Sequence, residues 1–256
     1  MKPASAAASS IEKEENENMD RTNHVTWAAL GVATLFLAGM IAGCSVTQKA
    51  AVEKSSLSAS GFLGPDYSRL TPGGKAQASL RYVDPSAPWT QYKKILVMPV
   101  SFWGNEATKI PLADQQALCN FLYQALRDQF GKKFQLVEQP GPGVMVLQVA
   151  LTDVEAATPV LRSVTMVVPQ ARALSTLKYL ATGTYPFVGA AQVEAKLSDG
   201  GTGGILGEWV DKRVGGGNIQ TAAQWQWGDV ENVMNEWATK AVDKVYSWTS
   251  GAAPAA

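Results

Sequence analysis

The chain has 256 residues, 46% of them hydrophobic, with 22 basic and 22 acidic side chains, two cysteines and a single histidine. A formal charge of zero leaves no excess of basic residues of the kind that nucleic-acid binding needs. The histidine is His24, so from residue 44 onward no Ser-His-Asp system, no Cys-His system and no imidazole metal ligand is available.

Residues 1–18, MKPASAAASSIEKEENEN, are acidic through Glu12, Glu14, Glu15 and Glu17. A secretory leader opens with positive charge, so this stretch does not suit one. Met19 offers a shorter start with Arg21 ahead of an apolar run, and residues 1–18 are then either a mis-assigned start or a disordered extension removed with the leader. Val25 to Gly43 carries no charge and ends in Ile41-Ala42-Gly43-Cys44. An aliphatic residue, two small ones and a cysteine resemble the bacterial lipobox. That resemblance implies a leader over 19–43, cleavage before Cys44, a diacylglycerol on the Cys44 thiol and an N-acyl chain on its new amine. No other cofactor is expected. Ser45 in place of aspartate implies, by the same resemblance, the outer membrane, with the domain on the periplasmic side. The competing reading is an uncleaved helix, although nineteen apolar residues sit at the lower edge of what spans a bilayer of about 30 Å.

Five acidic and three basic residues precede Cys44, which leaves 17 against 19 and a formal +2 beyond it. If Cys44 is acylated, Cys119 has no disulfide partner, and its apolar helical setting points to a buried thiol. Residues 44–60 read as the acylated cysteine followed by a flexible tether, 61–249 as one α+β domain, and 250–256 as a disordered tail.

Within the domain, Phe62, Leu63, Tyr67 and Leu70 lie among glycines and prolines in a segment expected to pack on the domain edge. Lys93 to Val100 reads as a buried strand closed by Pro99. Leu118, Leu122, Leu126 and Phe130 recur every fourth residue in an amphipathic helix over 112–130 that Gly131 ends. Phe134 to Glu138 is a short strand, Pro140 to Gly143 a turn, and Val144 to Val154 a strand with both faces covered. In 191–197, Ala191, Val193, Ala195 and Leu197 are expected to face in, and Gln192, Glu194 and Lys196 out. SDGGTGG (198–204) is a hairpin loop from which 205–214 returns. Val230, Val233, Met234, Trp237, Ala241, Val245 and Trp248 mark a second helix face, with Asp229 and Glu231 at its start and Lys240 and Lys244 near its end suiting its dipole. The fold expected is a mixed sheet with two main amphipathic helices on one face.

Few residues suggest chemistry. The glycine runs lack the Lys-Ser/Thr ending of a phosphate loop and read as turns. Glu155, Glu194 and Glu208, with Asp153 and Asp211, could supply an acid–base pair, although no spacing selects one. Residues 159–189, with Leu174, Leu177 and Leu180 at near-helical spacing, either complete the core or form an excursion against a partner or membrane. Trp225 and Trp227, with Trp209, either staple the second helix or form a stacking platform. Leu174, Leu177, Leu180, Trp225 and Trp227 are therefore the candidate partner contacts. No metal site is expected.

LRYVDP, KKILVMPV, EQPGPGVMVLQVALTDVE, VVPQARALS, ATGTYPFVGAAQVEAKLSD and WGDVENVMNEWA, in that order over roughly 61–248, resemble an uncharacterised bacterial lipoprotein family, domain-of-unknown-function family 3313. The resemblance implies a periplasm-facing outer-membrane lipoprotein and brings no catalytic residues. The element order also resembles the small α/β domains of TolB and of curli-type secretion lipoproteins, a likeness of fold alone. The expected function is a non-catalytic, membrane-anchored domain that binds a periplasmic or envelope protein. The alternatives are a self-assembling ring or pore subunit, hence a homo-oligomer, and a carboxylate-based glycan hydrolase.

Overall fold

A computed structural model of the chain describes residues 47–52, 57, 61–104, 110–155, 189–215 and 227–254. The expectations for Ile41, Ala42, Gly43, Cys44, Leu174, Leu177, Leu180 and Trp225 lie outside the described residues.

Among the described residues, nine strands form one sheet: β1 (Gln48–Lys49), β2 (Thr71–Pro72), β3 (Leu80–Val83), β4 (Lys94–Val97), β5 (Ser101–Phe102), β6 (Gln135–Leu136), β7 (Val144–Glu155), β8 (Ala190–Asp199) and β9 (Ile205–Val214). Their order is β2-β3-β9-β8-β7-β4-β6, with β1 added on β9 and β5 on β7. Strands β4 and β5 run parallel to β7, and β6 parallel to β4, while every other pairing is antiparallel. The two main helices are α1 (Leu112–Phe130) and α2 (Gly228–Thr249). The sheet is thus mixed, and the fold is α+β as expected.

The helices form where the apolar spacing demands. Leu118, Leu122, Leu126 and Phe130 of α1 are each no more than 4% exposed. A spacing of four keeps them on one stripe, and each such burial stabilises by about 1.5–3 kcal/mol. Pro111 precedes the first turn and Gly131 closes the last, its N–H donating to the Arg127 carbonyl at 2.8 Å. The stripes of both helices share one core with Met145, Leu147, Val149 and Leu151 of β7 and Val193 and Leu197 of β8.

The opposite face of the sheet departs from expectation. Gln192 and Glu194 are buried, at 1% and 0% exposure, and Lys196 is half-buried. The cause is the segment ahead of β3. A short 3₁₀ helix, Gly64–Arg69, lays Leu63 and Tyr67 over this face against Val210, and the Tyr67 hydroxyl donates to Glu194 at 2.5 Å. Alternation places a residue on a face, but it does not say that the face is wet.

The tether also differs. Gln48 and Lys49 pair with Val214 and Arg213, and the Ala50 N–H donates to the Lys212 carbonyl at 2.9 Å. β9 is longer than β3, which covers only Gly207–Val210, so the rest of its edge has backbone groups that β1 satisfies.

Candidate functional site

Between the helices and the sheet lies a cavity of about 160 Å³. Its inner wall is apolar: Leu122, Leu126 and Phe130 of α1, Leu147 and Val149 of β7, and Val193, Ala195 and Leu197 of β8. Trp209 of β9 stacks on Trp248 of α2 with ring centroids 6.3 Å apart and planes 12° from parallel. Gly207 makes room for that ring, since a Cβ there would meet the Trp209 indole at 2.5 Å.

The charged lining residues are Arg81, Asp211, Arg213, Lys240 and Lys244. All come from β3, β9 and one flank of α2, while β7, β8 and α1 contribute apolar side chains alone. Polarity is therefore divided by element: α1, β7 and β8 offer hydrocarbon, while β3, β9 and α2 add the buried Arg81, Asp211 and Arg213 and the exposed Lys240 and Lys244. Lys240 and Lys244 were expected to complement the end of the helix dipole. The last turn of α2 holds no basic residue, because the helix continues to Thr249, and both lysines stand at the cavity mouth instead.

Asp211 organises the entrance. It accepts from the Ser79 N–H at 2.9 Å, the Ser79 hydroxyl at 3.0 Å, Arg213 Nε at 2.7 Å and Trp237 Nε1 at 2.8 Å. Arg213 Nη1 reaches Glu236 of α2 at 3.0 Å, and Glu236 also pairs with Lys240 and accepts from the Thr47 hydroxyl. Burial works to raise the Glu236 pKa, but Lys240, Thr47 and Arg213 together hold its carboxyl below the ordinary range. The network fastens the first described residue of the chain to the rim of the cavity.

A second cluster lies on the other face. Glu208 is fully buried, with Lys196 Nζ at 3.6 Å and Arg69 Nε at 3.7 Å. Asp66 sits beside it, bound to Arg69 and, at 3.2 Å, to Lys196. Burial, and then the Asp66 carboxylate, push the Glu208 pKa up to about 7. Burial opposes ionisation of Asp66 too, but Glu208, Lys196 and Arg69 outweigh it and lower its pKa. The proton of the pair thus rests on Glu208.

The candidate acids do not gather in one cleft. Glu194 and Glu208 are buried under the 3₁₀ segment, on the face away from the cavity. Glu155 is exposed at the end of β7, 3.3 Å from Lys212, which also binds Asp153 at 2.8 Å. Trp227 is 2% exposed and packs in the main core, so its ring is helix packing. Cys119 is buried, and burial pushes its thiol pKa up to about 11. Sequence reasoning missed the cavity and its rim, since nothing in spacing alone brings Arg81, Arg213 and Lys244 together. Among the described residues, no group of three or more His, Cys, Asp or Glu is placed to hold a metal ion, and no helix is long and apolar enough to cross a membrane.

A family profile described as "Protein of unknown function (DUF3313)" matches residues 58–241. No curated protein matches the chain. Among solved structures, the chain is similar to the PelC dodecamer from Paraburkholderia phytofirmans, at 10% identity and a TM-score of 0.33 over 62% of this chain and 95% of that one. It is also similar to protein XCC0632 from Xanthomonas campestris, at 12% identity and a TM-score of 0.36 over 62% of this chain and 88% of that one.

Proposed function

The chain belongs to the DUF3313 family of proteins of unknown function, and from that premise we propose that it is a lipid-anchored, non-catalytic binding domain of the bacterial envelope. One observation carries this reading. Cys44, which closes the lipobox-like Ile41-Ala42-Gly43-Cys44, is only three residues ahead of Thr47, which is bonded into the domain through Glu236. An extended chain covers about 3.3–3.6 Å per residue, so a lipid on Cys44 would hold the domain within roughly 11 Å of the bilayer surface. The domain is a membrane-hugging body, with Ser45 favouring the outer membrane and its periplasmic side.

Two further features support binding over catalysis. Of the candidate acids, Glu208 and Asp211 are buried against cations, Glu194 is buried against the Tyr67 hydroxyl, and Glu155 is exposed. The concave feature between helices and sheet is lined by hydrocarbon with a charged rim, the usual make-up of a ligand site. Beyond the diacylglycerol and N-acyl groups on Cys44, the proposal includes no cofactor, and the partner is an envelope protein or ligand met at the membrane surface.

The test is mass spectrometry of the protein purified from envelopes, together with cross-linking in intact cells. The expected result is a mature amino terminus at Cys44 bearing acyl chains, with a defined partner recovered. An intact leader with an unmodified thiol would refute the anchor. Recovery of the domain always alone would refute the partner.

A further inference from the structure

We propose that the cavity between α1, α2 and the sheet binds the chain of a single-chain anionic amphiphile, a fatty-acid-like molecule, taken up from the adjoining membrane surface. The proposal deepens the binding reading above, and three observations converge on it.

Size and lining come first. An apolar cavity of about 160 Å³ is close to the volume that stays dry and takes up a benzene-sized guest, so a short run of methylenes fills it. Its depths, formed by α1, β7 and β8, offer no polar side chain to satisfy a peptide backbone or a sugar, and hydrocarbon is what fits.

Charge comes next. Arg81, Arg213, Lys240 and Lys244 line the cavity with Asp211, whose carboxylate is occupied by Arg213, Ser79 and Trp237, and with Glu236 paired to Arg213 and Lys240 the four cations still outnumber the two carboxylates. Lys240, paired with Glu236, and Lys244 lie one turn apart on the exposed flank of α2, where their long side chains can turn toward a carboxylate or phosphate head. A cationic rim over a hydrocarbon interior is complementary to an anionic head on an acyl chain.

Place comes last. Thr47 bonds Glu236, the residue that also holds Arg213 and Lys240, so the chain enters the domain at the cavity rim. If Cys44 carries the lipid, three residues of chain would keep Thr47 near the membrane in which such amphiphiles partition.

The experiment uses the full-length protein in phosphatidylcholine vesicles and a fatty acid bearing a diazirine near its methyl end. Irradiation is expected to label peptides of α1 and α2 that line the cavity, and octanoate to compete. Ala241→Phe, which places a ring in the cavity, is expected to abolish that labelling with helical content unchanged. Lys240→Gln combined with Lys244→Gln is expected to weaken it roughly three- to tenfold, as two part-exposed charge contacts should. The same chain ending in trimethylammonium is expected to label weakly. Equal labelling by the ammonium probe, labelling confined to other surfaces, or full labelling of Ala241→Phe would each overturn the proposal. So would labelling that appears only after Cys44→Ser, since the chain's own anchor would then be the occupant. The mass of the amino terminus, measured on the same sample, reports separately on whether the lipid-anchor reading holds.

Discussion

Glu208 carries the clearest pH signature. A buried carboxyl whose pKa rises from 4.5 to about 7 binds its proton more tightly in the folded chain than in the unfolded one. Its contribution to stability is therefore full below about pH 4.5 and is lost as pH rises through about 7. At about 1.4 kcal/mol per unit the loss is on the order of 3 kcal/mol. Glu208→Gln is expected to flatten the urea-unfolding stability of the protein between about pH 5 and 8 relative to wild type. A parallel pair of curves would show that the group does not titrate there. Asp66 acts in the opposite sense, with a lowered pKa whose contribution is lost only at lower pH. Cys119 supplies a second test at this scale. With its thiol buried and its pKa near 11, it is expected to resist maleimide in the folded Cys44→Ser protein and to react fully once urea unfolds the chain.

At the scale of elements, two junctions hold the fold around its site. The β8–β9 hairpin turns on Asp199, whose carboxylate accepts from the Gly201 N–H at 2.9 Å, the Thr202 N–H at 2.6 Å and the Tyr92 hydroxyl at 2.7 Å. Asp199→Ala leaves the Tyr92 hydroxyl without this acceptor and is expected to cost about 1–3 kcal/mol in denaturant unfolding with an unchanged m-value. Asp211 joins β9 to α2 through Trp237 and to Ser79 just ahead of β3. Its removal in Asp211→Ala leaves Arg213, 4% exposed, held by Glu236 at 3.0 Å without its Asp211 partner, and a loss of about 3–5 kcal/mol is expected. A much smaller loss would show that the entrance network relaxes around the vacancy. Gly203 in the hairpin loop holds φ +76°, so a side chain there would strain the turn.

For the whole molecule, occupancy of the cavity and global stability are linked. A ligand present at a hundred times its Kd stabilises the folded state by about 2.7 kcal/mol. For a domain near 200 residues that corresponds to a rise in Tm of about 5–10 °C. Octanoate is therefore expected to raise the Tm of the wild-type protein progressively with concentration and to leave Ala241→Phe unmoved. Octyltrimethylammonium should produce a smaller shift at the same concentration.

Much of this molecule is written locally. Leu118 to Phe130 at every fourth position, the apolar stripe from Val230 to Trp248, the alternation of 191–197 and the SDGGTGG turn each set an element through side-chain periodicity and backbone conformation, which depend on neighbours in the chain. The absence of histidine after residue 24 is likewise a property of the sequence alone. What folding decided was which faces stay wet and which charges meet. Glu194 reads as a solvent residue from alternation, yet a segment some 130 positions earlier covers it. Lys240 and Lys244 read as dipole partners, yet packing of α2 over β9 places them at the mouth of a cavity together with Arg81. Burial and charge proximity are sums over contacts between residues distant in sequence, and no local pattern encodes them.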